Sequence, residues 1–178
     1  MTATGGPEVL QLREVPLPQL QDPSYLRVRL HASGVNPVDT KIRKANTYYP
    51  GNTNIVLGCD GAGVVESCGH AVKRFKPGDA VFFCHGGIGG DPGNYAEFIA
   101  LHEDYCAALP AGLSMVEAAA LPLAFITAWE ALMERAQLIS DESVLIHAAA
   151  GGVGHIAVQI ARDRGARIAA TVSGADKA

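Results

Sequence analysis

Apolar and polar positions along this chain follow two different rhythms. Through about the first 110 residues the period is two. In YLRVRLHA (25–32), Leu26, Val28, Leu30 and Ala32 alternate with Arg27, Arg29 and His31, the pattern of a strand buried on one face. DGAGVVESCG (60–69) and NYAEFIALH (94–102) predict further strands, and KPGDAVFF (76–83) places a Pro-Gly-Asp turn before another. VDTKIRKA (38–45), just after Pro37, predicts a short helix. Short strands divided by turn signals predict a small barrel or sandwich.

The rhythm changes near residue 113. LSMVEAAALPLAFITAWEALMERAQL is rich in helix formers, with Pro122 as a break and Trp129 read as core. ESVLIHAAA then predicts a strand, GGVGHIAVQIARDRG a helix and ARIAATVS a second strand. Strand, helix, strand is the signature of a parallel sheet, so the chain reads as α/β. A boundary falls within 110–125, giving a barrel-like β domain over 1–115 and a partial dinucleotide-binding domain over 116–178. A doubly wound sheet has about six strands, and only two are predicted here. A truncated chain is therefore expected, clipped at its start as well.

Composition narrows the function classes. Hydrophobic residues make up 48% and charged residues 18%, which fits a folded domain rather than a disordered one. The net charge of -4 gives no basic surface for nucleic acid. Apolar runs are too short to span a bilayer, and the N-terminal residues do not read as a signal peptide, so a cytoplasmic location is expected. Cys59, Cys68, Cys84 and Cys106 form no CxxC pair, so they are expected to be reduced and partly buried, without a structural zinc.

The candidate chemistry lies in HAAAGGVG (147–154). Ala149, Gly151 and Gly154 occupy the three glycine positions of G-x-G-x-x-G. At the second of these, a missing side chain lets a pyrophosphate approach the backbone; at the third, it lets helix and strand pack closely. The N–H groups that open the helix, around Gly151, Gly152 and Val153, would then face the anion. Val153, Ile156, Ala157, Ile160 and Ala161 form the predicted apolar face of that helix. His147 is read as a core histidine on a buried strand. After the second strand the chain reads Thr171-Val172-Ser173-Gly174, with no acid to bond a ribose diol. The hydroxyl of Ser173 and the cation of Lys177 suit a 2′-phosphate, which favours NADPH; the alternative is that both are ordinary loop residues.

ASGVNPVDTKIRKANTYYP, LGCDGAGVVESCG, FKPGDAV, GNYAEF, AAALPLAFITAWEAL and VLIHAAAGGVGHIAVQIAR together resemble the zinc-independent quinone oxidoreductases, the zeta-crystallin-like branch of the medium-chain dehydrogenase/reductase superfamily. The resemblance covers nearly all of residues 5–178. It implies a GroES-like barrel domain, a Rossmann domain and an active site in the cleft between them. It also implies that the full-length form is a homodimer. In related alcohol dehydrogenases a catalytic zinc is held by a cysteine that would fall near Asn36 and a histidine that would fall at Cys59. Neither ligand is present, so no metal is expected.

By that resemblance, the expected activity is metal-independent hydride transfer from NADPH to a quinone or similar α,β-unsaturated carbonyl. Tyr48 matches a tyrosine of the substrate cleft, with Tyr49 as the other ring at that place. Asn36 carries an amide able to bond the nicotinamide or the substrate; its alternative role is a turn before Pro37. Thr127 resembles a threonine that reaches the cofactor, and its alternative is a bond to its own helical turn. Asp39 and Asp60 are read as structural. Two other function classes remain open at this point: a zinc-dependent alcohol dehydrogenase relative, and a non-enzymatic nucleotide-binding or structural protein.

Overall fold

The computed structural model describes residues 1–45 and 54–177. By its internal contacts the chain divides into two compact units, Met1–Pro122 and Leu123–Ala178.

The first unit is built on a five-stranded antiparallel sheet: β1 (Tyr25–Ser33), β2 (Asp60–Cys68), β3 (Ala80–Cys84), β4 (Phe98–His102) and β5 (Cys106–Ala108), in the spatial order β4-β1-β2-β3-β5. Successive side chains of a strand point to opposite faces. The alternation read from the sequence therefore delivers Leu26 and Val28 of β1, Val81 and Phe83 of β3, and Ile99 and Leu101 of β4 to one core, joined by Val65 and Cys106. Each such side chain, fully buried, contributes about 1.5–3 kcal/mol. Arg27, on the other face of β1, meets Glu66 of β2 at 2.7 Å.

Helix α1 (Pro37–Ala45) opens with proline, whose fixed φ suits the first helical position. Asp39 in its first turn and Arg43 and Lys44 in its last complement the helix dipole. It buries Ile42 against Ile55 and Leu57. The short helix α2 (Met115–Ala119) starts at a capping box formed by Ser114 and Glu117. Its small residues Ala118 and Ala119 pack on Ala62 of β2.

The second unit opens within α3 (Pro122–Trp129), which runs on into a π-helical turn at Glu130–Arg135. A parallel pair follows: β6 (Ser143–Ile146) and β7 (Arg167–Ala170), in register from Ser143 opposite Arg167 to Ile146 opposite Ala170. Helix α4 (Gly152–Asp163) connects them and buries Gly154, Ile156, Ala157 and Ala161. This is the predicted βαβ unit, and the α/β class read from the sequence holds.

Six details differ from what the sequence predicts. The strand expected over 94–102 begins only at Phe98, because Asn94 leaves the ladder to bond the carbonyls of Gly58 and His85. The strand expected over 142–150 ends at Ile146, where Ala148 turns at φ +52°. His147, expected in the core, is therefore exposed. Val153, expected on the buried face of α4, is 40% exposed because it lies in the first turn, ahead of the residues that meet the sheet. Trp129 is likewise not core: it is 42% exposed and stacks on Phe125, with ring centroids 5.8 Å apart. Strand β5 is not predicted, because Cys106-Ala107-Ala108 is too short to display an alternation.

Candidate functional site

Each unit carries candidate residues of its own. In the second, the turn between β6 and α4 is fixed by its neighbours. The N–H of Ala149 donates to the carbonyl of Thr171 at 2.9 Å, and the N–H of Ala148 donates to Oγ1 of Thr171 at 3.2 Å. The N–H of Gly151 closes back on the carbonyl of Ala148 at 2.8 Å. Helix α4 then starts at Gly152, with extended backbone at Gly151 and no side-chain cap. The first N–H groups of a helix have no intrahelical acceptor, so this end offers donors and the positive end of the dipole.

The glycines divide by role. A Cβ at Gly154 would lie 2.2 Å from the carbonyl oxygen of Ala148, so the absent side chain is what lets the helix approach the turn. A Cβ at Gly152 would meet nothing within 4 Å, and one at Gly151 only the Ala148 carbonyl at 3.1 Å. Gly151, Gly152 and Val153 are exposed, so open space fronts the helix end. A helix end with free donors and open space in front of it is one that could hold an anion. His155 is fastened at the same turn, its Nδ1 2.9 Å from the carbonyl of Gly151. Ser173 and Lys177 are both exposed after β7.

In the first unit Asn36 is held at both ends by buried carboxylates. Its backbone N–H donates to Oδ2 of Asp39 at 2.8 Å, and its side-chain Nδ2 donates to Oδ2 of Asp60 at 2.9 Å. Asp39 is 3% exposed and Asp60 1%. Asp39 also accepts from the N–H of Gly58 at 3.1 Å and from the hydroxyl of Tyr95 at 3.2 Å. Burial and then the Asp39 charge raise the Tyr95 hydroxyl well above the usual phenol range, so it stays a donor.

Two thiols belong to this network. Cys59 Sγ lies 3.9 Å from Oδ1 of Asp39, and Cys84 is hydrogen-bonded to Asp60. Burial, followed by the neighbouring carboxylates, pushes both thiols up to about 12. The thiolate is the form that ligates metals and attacks electrophiles, and here the thiol form dominates. Among the described residues no three His, Cys, Asp or Glu side chains converge to hold a metal ion. Among the same residues no helix is long and apolar enough to cross a membrane.

The sequence-derived candidates thus separate. Ala149, Gly151, Gly152, Val153 and Gly154 come together at one turn. Asn36 lies within the two-carboxylate network, whose members Asp39 and Asp60 the sequence reading took only as structural. The hydroxyl of Thr127 donates to the carbonyl of Leu123 at 2.7 Å, the bond to its own turn that the sequence reading held as the alternative. Tyr48 lies outside the described residues, as does Tyr49. The bonds of Cys84 to Asp60 and of Tyr95 to Asp39 were not legible, because they join segments far apart in the chain.

Residues 22–111 match the alcohol dehydrogenase GroES-like domain family. The chain is 41% identical over 170 residues to the quinone oxidoreductase of Mus musculus, covering 94% of this chain and 49% of that protein. It superposes with a TM-score of 0.91 and 44% identity on an alcohol dehydrogenase superfamily protein from Novosphingobium aromaticivorans, covering 98% of this chain and 52% of that one. The Escherichia coli quinone oxidoreductase in complex with NADPH is similar at a TM-score of 0.82 and 36% identity, covering 99% and 52%. The chain spans about half the length of the curated relatives it matches.

Proposed function

The chain belongs to the quinone oxidoreductase branch of the medium-chain dehydrogenase/reductase superfamily, and on that premise we propose that it serves NADPH-dependent reduction of a quinone or similar α,β-unsaturated carbonyl. The observation that carries the reading is the glycine turn between two parallel strands, open at Gly151 and Gly152 and tight at Gly154. The N–H groups that open α4 would hold the pyrophosphate, with Ser173 and Lys177 beside the adenosine ribose as partners of a 2′-phosphate. The similar Escherichia coli quinone oxidoreductase forms a complex with NADPH, which favours the phosphorylated cofactor.

When bound, a reduced nicotinamide supplies a hydride, and the protein's share is binding and orientation. Asn36 and Tyr48 are the polar side chains proposed at the reacting end, and Thr127 is proposed at the cofactor. A quinone is already electrophilic, so the proposed reaction assigns no role to a metal. Burial, and after it the neighbouring carboxylates, keep Cys59 and Cys84 as thiols, which suits a site handling a soft electrophile.

The test is a titration of NADPH fluorescence with the chain, followed by quinone-dependent NADPH oxidation with and without a chelator. The expected result is saturable binding of NADPH, weaker binding of NADH, and oxidation unaffected by the chelator. A flat titration with both nucleotides sinks the reading. Activity lost on chelation would replace it with a metal-dependent one.

A further inference from the structure

Asn94 lies where three segments that place the candidate residues of the first unit meet. It is 0% exposed. Its Nδ2 carries two N–H groups, and two carbonyls flank it, that of Gly58 at 3.1 Å and that of His85 at 2.9 Å. A carbonyl oxygen only accepts, so both N–H groups are engaged; turned over, the amide would set Oδ1 against both oxygens. Oδ1 is the branch left over, buried and without a hydrogen-bond partner among the described residues. An acceptor buried in that way works against folding, so the gain from this side chain lies in its two donors.

The backbone of Asn94 completes the junction. Its N–H donates to the Gly58 carbonyl at 2.8 Å, and its carbonyl accepts the hydroxyl of Ser33. Each of the three tied segments leads to Asn36. Gly58 gives its N–H to Oδ1 of Asp39 at 3.1 Å, and Oδ2 of Asp39 accepts the N–H of Asn36. His85 gives its N–H to the carbonyl of Cys59 at 2.8 Å, next to Asp60, whose Oδ2 accepts the Asn36 amide. Ser33 precedes Gly34, whose N–H donates to the Asp60 carbonyl at 3.0 Å just ahead of Asn36.

We propose that Asn94 is a positioning residue for Asn36: its carboxamide fixes the carbonyls of Gly58 and His85, and through those segments Asp39 and Asp60 keep Asn36 in place. At 0% exposure Asn94 touches no bound molecule itself. It acts by narrowing the positions that Asn36 visits. The inference rests on the function proposed above, which puts Asn36 at the reacting end. A polar group already in place serves a reaction better than a mobile one, and a small displacement lowers turnover steeply. The glycine turn belongs to the second unit, so nucleotide capture there reports separately.

The geometry is read first in the wild-type chain without ligand. Both side-chain amide protons of Asn94, assigned through its Cβ protons, are expected to be protected from solvent exchange. Rapid exchange of either one overturns the proposal. Asn94→Ala then removes both donors. In it the backbone amides of Asn36 and Gly58 are expected to gain about tenfold more in exchange rate than those of Val65 and Leu109, which are bonded to the carbonyls of Asp79 and Ala80. The same gain at all four means a loss of stability alone and overturns the proposal. Quinone-dependent NADPH oxidation supplies the functional measurement. Asn94→Ala should lower kcat about tenfold and leave KM for NADPH unchanged. Wild-type kcat in a variant that exchanges as expected overturns the proposal too. If the wild-type chain oxidises no NADPH, the function proposed above fails instead, and the exchange comparison still decides whether Asn94 positions Asn36. Where Asn94→Ala does not fold, Asn94→Ser, which leaves a smaller void, is read in the same way. Failure of both to fold makes Asn94 a residue of the fold alone and overturns its positioning role.

Discussion

Nδ1 of His147 lies 3.2 Å from Oγ1 of Thr171, joining the residue after β6 to the residue after β7. The same oxygen accepts the N–H of Ala148, again at 3.2 Å, and the Thr171 carbonyl accepts the N–H of Ala149 at 2.9 Å. Thr171 thus holds three consecutive residues where Ala148 takes φ +52°, a conformation uncommon for a residue with a Cβ. Thr171→Val keeps the shape and removes the hydroxyl. It should cost about 1 kcal/mol of stability and weaken nucleotide binding, while Thr171→Ser retains both. Urea unfolding and NADPH titration of the two variants measure this. Equal midpoints for Thr171→Val and wild type would show that the hydroxyl does not hold the turn.

Gly152 and Gly154 should separate stability from binding. Gly154→Ala drives a Cβ to 2.2 Å from the Ala148 carbonyl oxygen, backbone that has to shift. A cost of about 1–3 kcal/mol is expected from that overpacking. Gly152→Ala meets nothing within 4 Å and should leave the fold intact or slightly more stable. The added methyl stands in the space assigned to the pyrophosphate, so NADPH affinity should fall although the unfolding midpoint does not. Gly152→Ala binding NADPH as wild type does would place the phosphates elsewhere.

Thiol reactivity should follow the carboxylates. Burial and then the Asp60 charge push Cys84 up to about 12, so near neutral pH its thiolate is scarce. Cys84 is only half-buried, and burial does not by itself shield it. Asp60→Asn removes a negative neighbour, which lowers the thiol pKa and raises the thiolate fraction. Each unit of lowering gives about tenfold faster alkylation at a fixed pH below the pKa. Peptide mapping after timed iodoacetamide treatment reads this at Cys84, with Cys68, bonded to the Phe75 carbonyl, as the internal standard. Unchanged labelling of Cys84 in Asp60→Asn would assign its inertness to burial.

Glu103 should make stability depend on pH in a defined direction. Its carboxylate accepts from the N–H of Arg74 at 2.8 Å and of Lys73 at 3.2 Å, and these bonds, the one from Arg74 leading, lower its pKa. A group whose folded pKa lies below its unfolded pKa contributes stability above the unfolded value and loses it as pH falls through the folded one. Glu103→Gln should therefore be less stable than wild type at neutral pH, and the gap should close on acidification below the ordinary carboxyl range. Thermal midpoints of both proteins across an acid titration test it. A gap constant with pH would mean that the charge is not the source.

Much of the frame was legible because it is written locally. Leu26 and Val28 announce a strand by alternation, and Ile156, Ala157 and Ala161 announce one face of a helix by their spacing. The glycine turn was legible for the same reason, since strand, turn and helix are contiguous. What escaped depends on partners distant in sequence. Asp60 looks like the start of a strand, and only folding brings it to Asn36 and Cys84. His147 and Trp129 sit among apolar neighbours and read as core, but their burial is set by what packs over them. The π-helical turn at Glu130–Arg135 left no mark in the pattern, because helix formers fill α and π turns alike.

Trp129 offers a direct check on that last correction. It is the only tryptophan in the chain, so its emission has one source. The indole is 42% exposed, and one of its faces is covered by Phe125 in a near-parallel stack at 19°. Aromatic side chains carry a large apolar surface, and water against that surface shifts indole emission to the red. The native chain should therefore emit toward the red and be quenched readily by acrylamide. Phe125→Ala removes the covering ring and should raise the quenching constant further without altering the unfolding of the glycine turn, since the stacked pair lies on α3 and its ring contact does not involve β6 or α4. Blue-shifted emission that resists acrylamide would show that Trp129 is covered in solution, as the sequence alone had indicated.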